Sequence, residues 1–254
     1  MTYENNLRII ARLDIKNNYL IKPIQLEGLR KVGDPNEYAQ KYYTNGIDEI
    51  IYLDNVASLY KRSHISSIIK NTTKNVFVPL TVGGGINNIS NVRDILKNGA
   101  DKISINSFAV SKPKILSEIS REFGSQCLVL SIEAKKISKN HWEVFIHNGR
   151  ERTNIDVVDW IKKAQDYGVG ELLLTSIDKD GTMSGFDIPL VETVSKKCHL
   201  PLIISGGFSK IDDILDATKF GDISGVAIGS ALHFNKISVS IIKQELKKLK
   251  FNVR

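Results

Sequence analysis

The sequence has 254 residues and a hydrophobic content of 42%, which is enough for one sizeable core. It contains 18 glycines and only 6 prolines, and no Ser/Gly/Pro-rich linker divides the chain, so we expect one domain. The formal net charge is +7, from 35 basic and 28 acidic residues, and the lysines are scattered except near the C-terminus. This pattern favours a solvated basic helix over a nucleic-acid-binding face, and it suits anionic small substrates such as sugar phosphates.

Short apolar runs rich in β-branched residues recur along the chain, separated by stretches with helical apolar spacing. Each run has the length of a strand and is almost continuously apolar, as parallel strands covered on both faces are. The runs are 7–14, 49–54, 76–82, 102–106, 127–133, 171–176, 200–205 and 225–230. Helix signals fall between them, such as Asp34-Pro35 at a start and Gly99 at an end. Eight strand–helix units in about 250 residues predict a (β/α)8 (TIM) barrel, with a doubly wound open sheet as the alternative.

The sequence also repeats itself at a nearly constant offset. The similar pairs are "RLDIK" with "SIEAK", "GIDEIIYLD" with "GVGELLLTS", "PLTVGGGI" with "PLIISGGF", and "NGADKISINS" with "FGDISGVAIGS". Any one pair is weak, but four pairs in the same order are hard to attribute to chance. We therefore expect two fused half-barrels, over approximately residues 1–124 and 125–254, each with four strand–helix units.

Two acids occupy equivalent positions in this arrangement. Asp14 ends the first predicted strand and Glu133 ends the fifth, and these strands lie opposite each other in an eight-stranded ring. Active sites of such barrels lie at the C-terminal ends of the strands, where two facing carboxylates suit acid/base chemistry. Taken alone, each acid is more simply a helix cap or a surface residue. Their equivalence in the two halves favours a catalytic pair.

Glycines end two equivalent strands, at 83–85 and 206–207. Glycine there lets backbone N–H groups approach an anion closely. The segments "INS" (105–107) and "IGS" (228–230) add side chains that hydrogen-bond phosphate. Because barrel phosphate sites are usually built in this way, the duplication predicts a ligand with two phosphates stretched across the mouth.

Two further segments hold candidate ligand-binding residues. The loop 178–187 is rich in turn residues, so it is either a plain loop or a segment in which Asp180 and Gly181 close over the second phosphate. Lys22 is by default a solvated side chain. Beside Asp14, however, its charge would hold a phosphate or stabilise a developing anion.

The two cysteines, Cys127 and Cys198, have no spacing typical of a zinc or redox motif. We expect buried free thiols, with neither a metal nor a cofactor. The N-terminal segment lacks the features of a signal peptide, and no apolar run approaches the roughly 20 residues that span a bilayer. We therefore expect a cytoplasmic protein that binds neither nucleic acid nor membranes.

Several motifs together carry a specific resemblance. They are "LDIK", "GDP", "PLTVGGGI", "GADKISINS", "FGSQC", "WEV" followed by "H.GR" (142–150), "LLLTSIDKDGT" and "SGG". From about Arg8 to its C-terminus the chain resembles the cyclase subunit of imidazole glycerol phosphate synthase, of histidine biosynthesis. A sister isomerase shares the half-barrel plan, but "FGSQC" and "LLLTSIDKDGT" are more similar to the cyclase.

The resemblance implies an ammonia-dependent cyclase/lyase. Its substrate would be a bisphosphorylated aminoimidazole ribulosyl intermediate, and its products imidazole glycerol phosphate and an aminoimidazole carboxamide ribotide. The ammonia would come from a glutaminase subunit, docked as a heterodimer on the N-terminal face of the barrel, and would travel through the barrel core.

The resemblance also implies roles for single residues. The catalytic aspartates of the family fall on Asp14 and Glu133, and its supporting lysine falls on Lys22. Its phosphate-binding residues fall on Gly85, Asn106, Asp180, Gly207, Gly229 and Ser230. Its ring of charges at the ammonia entrance falls on Arg8, Glu49, Lys102 and Glu171, each of which begins a predicted strand.

Two positions depart from the family pattern, since Arg12 replaces a cysteine and Glu133 replaces an aspartate. Residues two apart on a strand point the same way, so we expect Arg12 beside Asp14, where it would lower the pKa of that acid. The extra methylene of Glu133 moves its carboxylate by about 1 Å, and such a displacement costs up to roughly 100-fold in rate. Which carboxylate is acid and which is base stays open.

Because of these two departures, we keep two alternative functions in addition to the cyclase. The first is a paralogue that uses the same ammonia logic in surface-sugar amidation, with Arg12 as a specificity residue. The second is a non-catalytic scaffold that activates a glutaminase.

Overall fold

The structure is a computed structural model that describes residues 6–57 and 65–253. The strands are β1 (Arg8–Lys16), β2 (Tyr19–Ile24), β3 (Glu27–Gly33), β4 (Glu49–Asp54), β5 (Leu80–Gly83), β6 (Lys102–Ile105), β7 (Leu128–Ser138), β8 (His141–Ile146), β9 (Glu151–Asp156), β10 (Glu171–Ser176), β11 (Leu202–Ser205) and β12 (Ile223–Ile228). The helices are α1 (Pro35–Thr44), α2 (Ile65–Thr72), α3 (Ile89–Lys97), α4 (Ser107–Ser111), α5 (Lys114–Phe123), α6 (Val157–Asp166), α7 (Ile188–Ser195), α8 (Ile211–Thr218), α9 (Ser230–His233) and α10 (Val239–Lys248). None of the helices in these two ranges is long and apolar enough to cross a membrane.

Eight parallel strands close into a barrel, as the sequence predicts. Their order around the ring is β1, β4, β5, β6, β7, β10, β11 and β12, and β12 pairs with β1 in parallel to complete it. The main hydrophobic core lies between this ring and the surrounding helices. The open-sheet alternative is therefore wrong.

Two antiparallel hairpins extend the barrel, and the sequence patterns did not indicate either of them. Strands β2 and β3 continue the sheet from β1, and β8 and β9 continue it from β7. Strand β7 runs beyond Glu133 to Ser138 because its second half pairs with β8. Glu133 thus lies where the barrel part of β7 gives way to the hairpin, rather than at the end of the strand.

Alternate residues of each barrel strand point inward and form three levels. On β1 these residues are Arg8, Ile10, and then Arg12 with Asp14, in ascending order toward the C-terminal ends. The middle level is an apolar layer formed by Ile10, Ile51, Val129, Leu173, Ile203 and Ala227. Polar and charged side chains lie below and above this apolar layer, so the layer separates two charged regions of the barrel interior.

Some boundaries differ from the prediction for identifiable reasons. The third barrel strand begins at Leu80 rather than at residue 76, since Pro79 has no N–H for the ladder, although its carbonyl accepts a hydrogen bond from Ile50. The last strand ends at Ile228, and Ser230 begins α9 instead of continuing the strand. Cys127 and Cys198 are free thiols, but both are half-buried rather than buried.

The signal at Asp34-Pro35 is confirmed, because Asp34 caps α1 and Pro35 occupies its first turn. The Asp34 carboxylate accepts hydrogen bonds from the N–H groups of Asn36 and Glu37 at 2.8 and 3.1 Å. We expect Asp34→Ala to lower the free energy of unfolding by about 1 kcal/mol. Urea denaturation measures the change, with Glu118→Ala on the exposed face of α5 as the control. Equal stability of the Asp34 variant and the wild type would contradict the capping role.

Candidate active site

Asp14 lies at the centre of a buried cluster of charges. Its side chain is fully buried, and its two oxygens accept hydrogen bonds from Arg12 Nε at 3.1 Å and Lys22 Nζ at 3.0 Å. Burial alone would raise the pKa of Asp14, but the two cations outweigh it and hold that pKa well below its usual range. Asp14 is therefore ionised throughout the physiological pH range.

Lys22 joins Asp14 to the opposite half of the barrel. It comes from β2, and its Nζ also donates to both carboxylate oxygens of Asp180, at 3.1 and 3.0 Å. Asp180 follows β10, more than 150 positions along the chain. The structure thus brings together three of the residues singled out in the sequence. Lys22 is buried beside Asp14, so its default interpretation as a solvated side chain is wrong.

Arg12 lies beside Asp14, which confirms the expectation from strand geometry. Its Nη1 donates to Thr175 Oγ1 at 2.9 Å and to Ser205 Oγ at 3.1 Å, on β10 and β11. The side chain therefore crosses the barrel interior directly above the apolar layer. Thr175 and Ser205 are contacts that the sequence did not indicate, because they depend on which side chains the closed ring turns inward.

Glu133 has a different environment from Asp14. Its carboxylate is half-buried at the wall of a cavity, and Oε2 accepts a hydrogen bond from the Gly149 N–H at 2.8 Å. Desolvation by burial raises the pKa of Glu133 to about 7, and Gly149, Arg12 and Asn106 only partly offset it. Glu133 is therefore an acid that exchanges its proton near neutral pH. Gly149 belongs to the "H.GR" motif, which carried the resemblance without an assigned role.

A cavity of about 610 Å³ opens at the C-terminal ends of the strands and contains the first set of predicted phosphate-binding residues. Gly85 and Asn106 line it together with Glu133. Four buried polar atoms without a hydrogen-bond partner belong to residues that also line it: Asn55 Nδ2, Ser104 Oγ, Asn106 Oδ1 and His147 Nδ1. Buried polar groups are normally hydrogen-bonded, so these atoms indicate a polar ligand site.

The second set of predicted phosphate-binding residues lines a separate and much tighter cleft, of about 10 Å³. They are Asp180, Gly181, Gly207, Gly229 and Ser230. The backbone explains the glycine at position 207, since its φ is +102° and a Cβ there would lie 2.1 Å from the Gly185 carbonyl oxygen. The two equivalent sites thus differ in shape, one open and one nearly filled.

The predicted entrance residues form a closed ring of ion pairs at the N-terminal end of the barrel. Glu49 bonds Arg8 at 2.7 Å and Lys102 at 3.0 Å, and Glu171 bonds Lys102 at 2.9 Å and also Arg8. The four residues begin β1, β4, β6 and β10, as the sequence predicts. Because the ring holds two cations and two anions, its net charge is zero.

His233 is a structural residue. It is buried, and its Nδ1 lies 2.6 Å from the Tyr42 hydroxyl, which ties α9 to α1. Burial lowers the pKa of His233 to about 3, so the ring is neutral at physiological pH. In the described residues, no group of three or more His, Cys, Asp or Glu side chains is arranged to hold a metal ion.

Comparison with known proteins agrees with this geometry. The family described as "Histidine biosynthesis protein" matches residues 8–238. The chain belongs to this family. Because the match covers all eight strands of the barrel, it covers every site residue described above.

The chain is also similar over most of its length to curated relatives named imidazole glycerol phosphate synthase subunit HisF. The relative from Legionella pneumophila is 54% identical over 209 residues, which are 82% of this chain and 99% of the relative. The relative from Prochlorococcus marinus is 44% identical over 250 residues, 98% of this chain and 97% of the relative. One from a Hydrogenobaculum species is 44% identical over 97% of this chain and 98% of its own. These matches support the cyclase and do not favour the sugar-amidation paralogue or the non-catalytic scaffold.

We expect the high pKa of Glu133 to be visible in the pH dependence of stability. The folded state keeps the Glu133 proton between about pH 4.5, where an ordinary glutamate titrates, and pH 7, so ionisation costs folding free energy across that window. The difference in free energy of unfolding between Glu133→Gln and the wild type should therefore shift in favour of the variant as pH rises from about 4.5 to 7. Above pH 7 this difference should become constant. Urea denaturation from pH 4 to 8 measures this. Glu118→Gln, on the exposed face of α5, should track the wild type. A constant difference for the Glu133 variant would rule out the raised pKa.

Proposed function

We propose that this chain is an ammonia-dependent cyclase/lyase of the HisF type. Its substrate would be a bisphosphorylated aminoimidazole ribulosyl intermediate, converted to imidazole glycerol phosphate with release of an aminoimidazole carboxamide ribotide. The observation that carries the proposal is the pair of carboxylates on opposite strands, Asp14 and Glu133, whose surroundings shift their pKa values in opposite directions. Adding ammonia to a carbonyl and closing a ring both need a proton donor and a proton acceptor in one site.

The two environments support one assignment of roles. Asp14, kept ionised by Arg12 and Lys22, is the base or the negative charge that stabilises a cationic intermediate. Glu133 holds its proton in a large fraction of molecules near pH 7 and is the general acid. The two carboxylates thus take different roles, because only Asp14 has cations bonded to it.

Each half of the barrel would hold one phosphate of the substrate. Gly85 and Asn106 would bind the first at the large cavity, where unpartnered polar atoms support the assignment. Asp180, Gly181, Gly207, Gly229 and Ser230 would form the second site, with the N–H groups at the start of α9 as donors. Lys22 bonds Asp180 of the second site and would balance the added negative charge there.

We assign the closed ring of Arg8, Glu49, Lys102 and Glu171 to the entrance of ammonia. The apolar layer above it supports this assignment, because an apolar passage admits neutral ammonia and excludes a charged ammonium ion. Arg12 lies at the upper end of this passage and contacts Asp14. It would therefore shape the space in which ammonia meets the substrate, and we keep it as the candidate specificity residue.

The glutaminase subunit would dock on the N-terminal face, around this ring. Large apolar side chains are exposed there, which fits a protein interface. They are Phe77 (73% exposed), Phe220 (40%) and Leu249 (44%), in segments that lead into β5 and β12 and that follow α10. The exposed Phe77 ring packs edge-on against Tyr43 at the end of α1.

We also infer that residues 1–124 and 125–254 are two half-barrel repeats. Each half begins with a long barrel strand followed by an antiparallel hairpin, and each ends with a short helix and a long one. Asp14 and Glu133 lie at equivalent points of these two patterns, as do Asn106 and Gly229 just before the short helices.

We expect Asp14→Asn to reduce turnover of the bisphosphorylated substrate at saturating ammonium by about 100-fold or more, since it removes a proton acceptor from the site. Product formation by the purified chain, followed by absorbance or chromatography, measures the loss. Asp94→Asn on the exposed face of α3 is the matched control and should be fully active. If the wild-type chain does not turn over this substrate, the proposed reaction is wrong. If the Asp14 variant stays active, its proposed role is wrong.

The docking face makes a separate prediction about the partner. Phe77→Asp places a charge in the proposed interface and should raise the Kd for the glutaminase subunit at least tenfold, about 1.4 kcal/mol. Isothermal titration calorimetry gives the Kd directly. Ile137→Asp, in the β7–β8 hairpin beyond the mouth of the barrel and also exposed, should bind like the wild type. Equal weakening by the two variants would contradict the assignment of the face.

A further inference from the structure

The turn between β2 and β3 has an unusual composition for its shape. Its two residues, Gln25 and Leu26, both have positive φ, at +50° and +63°, and Ile24 pairs with Glu27 across it. Hairpin turns of this kind normally hold Asn-Gly, because side chains with a crowded Cβ fit the left-handed region poorly. A leucine in this conformation is an outlier that needs compensation from its surroundings.

Burial at the mouth of the barrel provides that compensation. Leu26 is 1% exposed, although hairpin tips are normally solvated, and it packs with Phe145 and Ile177 in a small cluster separate from both other cores. The tip is also tied by hydrogen bonds on two sides. The Gln25 N–H donates to the Asp180 carbonyl at 2.8 Å, and Asn148 Nδ2 donates to the Leu26 carbonyl at 3.2 Å.

The segment under Leu26 is itself strained. His147, Asn148 and Gly149 have consecutive positive φ values of +54°, +60° and +74°. Leu26 Cδ1 lies so near Gly149 that a Cβ there would be 2.9 Å away. The Gly149 N–H donates to Glu133, so the contact with Leu26 bears on the backbone that holds the general acid.

The same hairpin also reaches the other carboxylate. Lys22, in β2, bonds Asp14 and Asp180. Asp14 and Glu133 lie on β1 and β7, four strands apart in the ring of eight. This hairpin therefore acts on both acids. Its Lys22 bonds Asp14, and Leu26 at its tip packs against Gly149, which donates to Glu133.

We propose that Leu26 is a positioning residue, whose insertion between Phe145, Ile177 and Gly149 fixes the Gly149 N–H on Glu133. The inference rests on the proposed function for the role of Glu133, but not for the contact itself. Loss of the Leu26 side chain would free the 147–149 segment to leave its left-handed conformation. Glu133 would then still be a carboxylic acid able to donate a proton, but the Gly149 N–H would no longer hold its carboxylate in place.

Leu26→Asn tests this without threatening the fold, because asparagine suits the left-handed turn and lacks the apolar anchor. Gln25→Asn is the matched control, since it introduces asparagine at the other turn position and keeps Leu26. Hydrogen–deuterium exchange of peptides covering 147–150 reports on the segment without any substrate. We expect at least tenfold faster exchange in Leu26→Asn, with a cooperative thermal transition retained at a lower midpoint, and no change in exchange in Gln25→Asn.

Steady-state kinetics with saturating ammonium supply the second measurement. We expect Leu26→Asn to lower kcat by about 10- to 100-fold, the scale of a 1 Å misplacement, while KM stays within about twofold. Unchanged exchange at 147–150, an equal increase in the Gln25 variant, or faster exchange with wild-type kcat would each overturn the proposal. If the wild type shows no turnover, the proposed function fails, and the exchange measurement alone decides whether Leu26 fixes the segment.

Discussion

The hydrogen bonds between β12 and β1 close the sheet, and the arrangement of every site depends on that closure. A closed ring of eight strands has one narrow interior, so inward side chains from distant parts of the sequence must share it. Arg12 on β1 reaches Thr175 and Ser205 for this reason, and Glu171 on β10 pairs with Arg8 on β1. An open sheet with the same strands would leave these charges without their partners.

The interior can hold charges only because they are neutralised at each level. The lower level pairs two cations with two carboxylates, and the upper level pairs Arg12 and Lys22 with Asp14 and Asp180. Charges buried without such partners would be severely destabilising. Glu133 is a further carboxylate beside an upper cluster that is already balanced. Desolvation is the main cause of the raised pKa of Glu133, and repulsion by the Asp14 carboxylate adds to it.

Apolar runs were sufficient to predict the barrel, whereas the repeat between its two halves was needed to single out Asp14 and Glu133, whose catalytic role stays a prediction. Near-continuous apolar runs predict buried parallel strands, and Asp14 and Glu133 follow the barrel parts of β1 and β7, which places them at the mouth. The hairpins were missed because "YLIKPI" and "EGLRKVG" alternate weakly and are joined by Gln25-Leu26, which lacks the usual turn residues. The bond from Lys22 to Asp180 joins residues far apart in sequence, and the pKa of Glu133 depends on burial. Neither is visible before the chain is folded.

The apolar layer between the two charged levels comes from six of the eight barrel strands, and the residues in register with it on β5 and β6 are Thr81 and Ser104. Its six side chains, from Ile10 to Ala227, contain no group that can relay a proton, although a small neutral molecule could pass between them. On the proposed route, a nitrogen nucleophile that crosses this layer leaves its extra proton behind on the partner's side. On that route the proton has to come from the mouth side of the layer, where Glu133, a carboxyl group that is about half protonated near neutral pH, lines the open cavity.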